Sequence, residues 1–403
     1  MKPTMREALI LPAALALAQL AAAQPAPHYI GAGGCASSNC HGAAAPLAPA
    51  DSRILGNEYA TWSAADKHAR AYKVLLEPRG KRMAEILKID DTAHDKRCAV
   101  CHVVGSPEKS ISDGVACEAC HGAAEKWLGP HTRQNSHAAS IQTGMIDTKN
   151  LEIRAKACLA CHLGTGTQTV DHDLIAAGHP DLAFELDTFT AAQPAHHRPM
   201  PPAMRVRAWA VGQTVALAEA MRLVGAHTGS HWPEFSDMEC YQCHHDLRSE
   251  SWRIQRGYGT RRPGSLQLNM SRIDIVRALV GVAAPDQRAA VDSAFDRLTA
   301  NPMDASSTAQ AARALERIAD SLTQKFQTQE IDAAAVLRAV SANIQRIADA
   351  GVNAAEQATM TLDALCAALG RNSDATAPLY NYLEHPSTYR PSEFVALYQK
   401  AAM

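Results

Sequence analysis

The sequence predicts a mainly α-helical protein: short helices and long loops around a stacked prosthetic core, followed by a small α-helical bundle. Three observations carry this. Five cysteine pairs, each with a histidine directly after the second cysteine, crowd the stretch from Cys35 to His244. That stretch is rich in Gly, Pro, Ser and His and holds no convincing strand pattern. Beyond Trp252 the motifs stop, and Ala-rich segments begin whose apolar residues recur at helical spacing.

At the N-terminus, Lys2 and Arg6 precede an apolar run from Ala8 to Ala22, broken only by Pro12 and Gln19 and ending in Ala21-Ala22-Ala23. Residues 1–23 therefore read as a secretory signal cut after Ala23, the run being short for an uncleaved anchor. Export to the periplasm is expected, with His28 in a mobile new N-terminus. A formal charge of −2 gives no reason to expect nucleic acid as a partner.

The motifs are Cys35-Ala-Ser-Ser-Asn-Cys40-His41, Cys98-Ala-Val-Cys101-His102, Cys117-Glu-Ala-Cys120-His121, Cys158-Leu-Ala-Cys161-His162 and Cys240-Tyr-Gln-Cys243-His244. Four are the c-type haem attachment signature and the first is a stretched variant. Two thiols on one turn add across the two vinyl groups of a haem, and the adjacent imidazole swings beneath the ring to ligate iron. Zinc sites take spaced pairs, with no reason for a histidine to abut every second cysteine. Vicinal disulfides are mostly redox sites and need no trailing histidines. Five covalent, iron-bearing c-type haems are expected, with Cys35, Cys40, Cys98, Cys101, Cys117, Cys120, Cys158, Cys161, Cys240 and Cys243 as anchors. The stretched motif is the weakest anchor, since Ser37, Ser38 and Asn39 must bulge before both sulfurs reach the ring. An aromatic content of 5% leaves the haems to supply planar apolar surface in a domain expected over residues 24–252.

His102 and Cys117 are only fifteen positions apart, so the second and third haems should lie side by side. Trp62 to Leu76 reads as a helical piece with His68, Tyr72 and Leu75 on one face. Pro194, Pro199, Pro201 and Pro202 mark a break, and helix resumes from Met204 to about Leu223. The second domain is expected over 268–403. Its helical faces include Ala311, Leu315, Ile318, Leu322 and Phe326, then Leu337, Val340, Ile344 and Ile347. Asn353-Ala-Ala-Glu356 has the form of a capping box, with Gly351 and Gly370 as helix stops. Cys366, among Leu362, Leu365 and Leu369, reads as a buried apolar filler, and His385 as a surface histidine.

Five proximal histidines leave thirteen others: His28, His68, His94, His131, His137, His172, His179, His196, His197, His227, His231, His245 and His385. An electron-transfer haem usually takes a second strong axial ligand, whereas an open position permits chemistry on a small molecule. Spacing alone assigns no pairs.

The chain resembles the multihaem cytochrome c-554 family. The resemblance rests on Trp62 with Asp66-Lys67-His68-Ala69, on Cys98 to His102, and on Gly114-Val-Ala-Cys-Glu-Ala-Cys-His-Gly122 with Trp127 and His131. It continues through Cys158 to His162. The segment His172 to Glu185 and the fifth motif with His245-Asp-Leu look like a pentahaem branch. The resemblance implies His131 opposite His41 on the first haem, and His68 opposite His121 on the third. It implies an open iron on His102, the only candidate catalytic position. The fourth haem, on His162, would draw on His179 or His172, and for the fifth, on His244, the candidates are His227 and His231. The stretched motif, the fifth motif and the helical tail depart from the family type; the fifth motif or His94 could close the iron on His102.

The function this implies is a periplasmic electron carrier passing electrons along closely spaced haems between a donor and an acceptor protein. The alternative is an enzyme reducing or oxidising nitric oxide, hydroxylamine or nitrite at an open iron. The tail would be a docking module, with peripheral association to a membrane redox complex among its expected contacts.

Overall fold

Three of the motif histidines end a helix, and in two of these a capping residue sets where the helix starts. In the computed structural model, Asp95 accepts from the Arg97 N–H and opens Lys96–His102. Asn150 accepts from Glu152 and Ile153 and opens Leu151–His162. Such caps satisfy first-turn donors that would otherwise be orphaned. Cys117–His121, the third, is little more than a single turn. The structure describes residues 28–47, 54–105, 108–245, 248–257, 264–371 and 373–403. The expected signal segment, 1–23, lies outside them, as do Asp246 and Leu247 after the fifth motif. Among the described residues the protein is mainly α, with isolated β-bridges and no strand, and no helix is long and apolar enough to cross a membrane.

The expected helix from Trp62 to Leu76 is broken at Asp66. Helix Glu58–Ala65 ends there, a 3-10 turn covers Lys67–Arg70, and Ala71–Leu75 follows. Asp66 is extended and its carboxylate accepts from the His68 N–H, so a local side-chain bond replaces helix continuation. The second and third motifs pack as neighbours: a Cβ at Gly105, just past the second, would collide with the backbone nitrogen of Ala119 in the third. His28, expected to be mobile, is tied through its backbone to Glu125.

The second half is a helical assembly whose longest member is Pro202–Ser230, 29 residues that start before Met204 and run past Leu223. It lies along Ala305–Phe326, Leu151–His162 and Val352–Ala368. Small residues, Ala208, Ala210, Gly212, Ala216, Ala312 and Ala319, are buried in this core, which lets helix axes approach closely. Trp209 is fully buried and donates to Thr361 Oγ1 at 3.2 Å; the Thr323 hydroxyl donates to Thr214 at 2.8 Å.

The core continues into the motif-bearing half. Leu151, Ala155 and Leu159 join it from the helix that carries Cys158, Cys161 and His162. The surroundings of the fifth motif are also held by the tail side: the Glu239 N–H donates to Gln267 O, Trp232 to Pro302 O, and Trp252 packs edge-on against Tyr389. Cys366 is buried as expected, whereas Leu369 is exposed; His385 is exposed. Gly351 does close Ile344–Ala350, but the capping box after it does not form. Gly351 is itself the N-cap of Val352–Ala368, and Asn353 instead donates to Asp181 Oδ2 at 2.7 Å.

Candidate haem sites

Residues 28–150 have few buried apolar side chains, among them Ala32, Leu55, Leu75, Ala116, Ala124 and Trp127, and none of these belongs to the helical core. A segment so thinly packed buries too little apolar surface to hold itself together, which fits a group that supplies its own apolar faces. All eleven cysteines are unbridged, and the ten in motifs are half-buried or exposed. Burial pushes the Cys120 thiol up to about 11 and Cys158 and Cys240 up to about 12. Their protein surroundings thus do not activate these three as reactive thiolates. Cys35 moves the other way, to about 7, because the Cys117 thiol of the third motif donates to it.

The histidines meet in pairs. His41 and His131 have ring centroids 6.2 Å apart and planes 17° from parallel. His68 and His162 are 6.2 Å apart, His102 and His179 6.3 Å, His172 and His244 6.4 Å. A metal–imidazole bond of about 2.0 Å, plus about 1.1 Å from nitrogen to ring centre, puts two imidazoles sharing one metal about 6.2 Å apart. All four separations match that value, so the residues present fit an iron between each pair.

The ring nitrogens agree. His41 Nδ1 is 2.9 Å from Glu58 Oε2, and His68 Nδ1 is 3.0 Å from Asp66 Oδ1. His102, His131 and His179 bond through Nδ1 to the carbonyls of Ala71, Leu128 and Pro180 at 2.8, 2.7 and 2.8 Å. Engaging Nδ1 fixes the tautomer and offers Nε2 to a metal. Bonds to Glu58 and Asp66 raise His41 and His68, while burial drops His121 and His162 to about 4.

Of the pairs implied by resemblance, the structure brings His131 to His41. It does not bring His68 to His121: His68 stands by His162, its ring held by Asp66. His179 stands by His102 and not His162, and His172 by His244. His227 and His231 stand by each other, ring centroids 5.5 Å apart, while the ring beside His244 is that of His172; His227 is buried with Nδ1 2.6 Å from Asp237, and His231 Nε2 is 2.9 Å from Glu234. His94 is exposed and bonded to Asp91. His121 has no imidazole at the pairing distance among the described residues.

Two contributors had no sequence signal. Glu58 orients His41 from the start of the next helix, 17 residues on. Glu118, inside the third motif and buried, accepts the backbone N–H groups of Ile30, Gly31 and Ala124, tying the approach to the first motif onto the third.

Residues 35–122 match the model of the family described as cytochrome c554 and c-prime. Over 114 residues the chain is 29% identical to cytochrome c-554 of Nitrosomonas europaea, an alignment covering 24% of this chain and 48% of that protein. The chain thus spans about half the length of the curated relative it matches. No solved structure matches. Residues 35–122, which hold three of the five cysteine pairs, are thus similar to the cytochrome c-554 family, whose cofactor is covalently bound c-type haem with iron.

Proposed function

We propose that this chain is an exported, periplasmic five-haem cytochrome that passes electrons between a donor and an acceptor protein. The observation that carries the reading is the set of four imidazole pairs separated by 6.2 to 6.4 Å, each including one motif histidine. On this reading His41 and His131 hold the first iron, His102 and His179 the second, His162 and His68 the fourth, and His244 and His172 the fifth. The cysteine pairs anchor each ring, including Cys35 and Cys40 of the stretched motif. Bound haem iron supplies a reversible one-electron change.

The chain's own residues tune that change. Two strong imidazole ligands favour electron transfer over ligand exchange. Carboxylate partners at His41 and His68, against carbonyl partners at His102, His131 and His179, make the ligands unequal, since a carboxylate on Nδ1 raises imidazole basicity. Residues 24–252 would form the cytochrome domain. Residues 268–403 would buttress the fourth and fifth motifs and offer a docking face for a redox partner or a membrane redox complex. His179 beside His102 favours the carrier reading over an open, catalytic second iron.

Intact mass of the exported protein tests haem number, signal removal and attachment at Cys35 and Cys40 together. The expected mass is the chain from residue 24 plus five haems. Reductive titration should then take up five electrons; uptake of only one or two would remove the proposal.

A further inference from the structure

In the tail, the helix Ile273–Ala283 packs against Arg288–Ala300 and Ala333–Ala342. Beside it lies a cleft of about 200 Å³, in the half of the chain that carries no cysteine–histidine motif. Three guanidinium groups line it, those of Arg277, Arg288 and Arg346, the last on the short helix Ile344–Ala350. Ala278, Val282 and Ala339 give it an apolar wall.

Carboxylates that do not line the cleft hold these arginines in place. Asp292 bridges two of them, with Oδ1 2.7 Å from Arg277 Nε and Oδ2 2.7 Å from Arg288 Nε. Asp274 Oδ1 is 2.9 Å from Arg346 Nη2 and 3.8 Å from Arg277 Nη1, and the exposed Asp296 meets Arg277 Nη2 at 3.4 Å. Arg288 Nη1 adds a long contact to Arg277 O, also at 3.4 Å. A guanidinium keeps its charge and carries five N–H donors in a rigid fork. Among the described residues, Arg288 meets a carboxylate only through Nε and Arg346 only through Nη2. Both therefore have donors left for a further acceptor. Gly281, inside Ile273–Ala283, makes the room: a Cβ there would stand 2.8 Å from Arg288 Nη1. Glycine weakens a helix interior, and here it leaves the guanidinium its place at the cleft.

Pockets for larger organic ligands run to about 300–1,000 Å³, so this cleft suits something smaller. Guanidinium groups converging from three helices suit a tetrahedral dianion, which accepts from several of them at once, better than a flat monocarboxylate. We propose that the cleft binds a small dianion of the phosphate class, free or as a small ester, between Arg277, Arg288 and Arg346. The apolar wall takes the carbon of an ester. The bound anion ties together three helices of the core shared with the motif-bearing half. Its binding does not depend on the number of haems or on their axial ligands.

The test is isothermal titration calorimetry of the purified, haem-loaded full chain at pH 8 and low ionic strength. The probes are inorganic phosphate, sulfate, glycerol 3-phosphate and acetate. Phosphate and sulfate should each saturate one site per chain, and acetate should bind at least about tenfold more weakly. Glycerol 3-phosphate binding tighter than inorganic phosphate assigns the ligand as an ester, and the reverse order assigns it as the free ion. Arg288→Gln and Arg346→Gln should each weaken phosphate binding by about tenfold, the loss of one charged hydrogen bond. Gly281→Ala keeps every charge, yet should weaken binding by displacing the Arg288 guanidinium. The ligand-free Gly281→Ala protein should melt no lower than the parent, because alanine favours the helix. Arg317→Gln removes an exposed arginine of Ala305–Phe326 that does not line the cleft, and should leave binding unchanged.

No saturable heat with phosphate or sulfate at millimolar concentration overturns the proposal. So does an equal loss in Arg346→Gln and Arg317→Gln, which would reduce the attraction to diffuse surface charge. Arg288→Gln and Arg346→Gln proteins that stay folded by circular dichroism and bind phosphate as before also overturn it, as does acetate binding as tightly as phosphate. All of these outcomes leave the five-haem reading untouched, since none of them reports on the haems.

Discussion

At the scale of single residues, Asp66 both shapes the backbone and aims a ligand. Its carboxylate accepts from the His68 backbone N–H at 2.9 Å and sits 3.0 Å from Nδ1, ending one helix and orienting one ring. Asp66→Asn should weaken electron donation by His68 and raise the potential of the haem it would share with His162 by roughly tens of millivolts. Spectroelectrochemical titration checks this, and an unmoved set of potentials would count against His68 as a ligand. The cysteine–histidine motifs were legible in the sequence because the proposed attachment is local: two thiols and an imidazole lie within a few residues. Distal pairing was not legible, because it is tertiary. Nothing within the segment around His68 distinguishes His121 from His162 as its neighbour; the fold of the chain between them decides.

At the scale of elements, close approach decides more than helix propensity does. Gly212 sits inside Pro202–Ser230, and a Cβ there would stand 2.6 Å from Leu186 Cβ. Gly→Ala in a helix gains about 1 kcal/mol from propensity, but overpacking a filled core costs about 1–3 kcal/mol. Gly212→Ala should therefore destabilise, read as a lower urea midpoint; a higher one would mean Leu186 yields freely. The helix Val352–Ala368 carries the second element-scale effect. Burial, then the like charges of Asp181 and Glu239, push Glu356 from 4.5 up to about 7. Between those values the folded chain keeps a proton that the unfolded chain has lost, so this group's contribution to stability falls as pH rises and stays low above 7. Glu356→Gln should accordingly raise Tm at pH 8 and change it little near pH 4.5. An equal shift at both pH values would contradict the assignment. That a helix follows Gly351 was legible, but its start was not: Asn353 met Asp181, a partner 172 residues away, in place of a cap.

At the scale of the whole molecule, the tail and the motif-bearing half share one core. Composition suggested a change of character after Trp252, and the chain does change there. Packing does not respect the change, because Leu151, Leu159, Phe184, Leu186 and Trp209 are buried in the same cluster as Leu315, Phe326 and Leu362. A tail acting only as a detachable docking module would leave the haem spectrum intact when removed. The shared core predicts otherwise. Truncation after Gly264 removes Ala305–Phe326 and Val352–Ala368 from against Pro202–Ser230, exposing several large apolar side chains at about 1.5–3 kcal/mol each. Together such losses rival the whole stability of an ordinary domain. The truncated protein should be recovered poorly, and what is recovered should lack haem at Cys158 and Cys161 and at Cys240 and Cys243, by peptide mapping. The first three motifs, which lie outside the shared core, should keep theirs. A truncated protein with the full haem complement and an unchanged spectrum would show the tail to be separable after all.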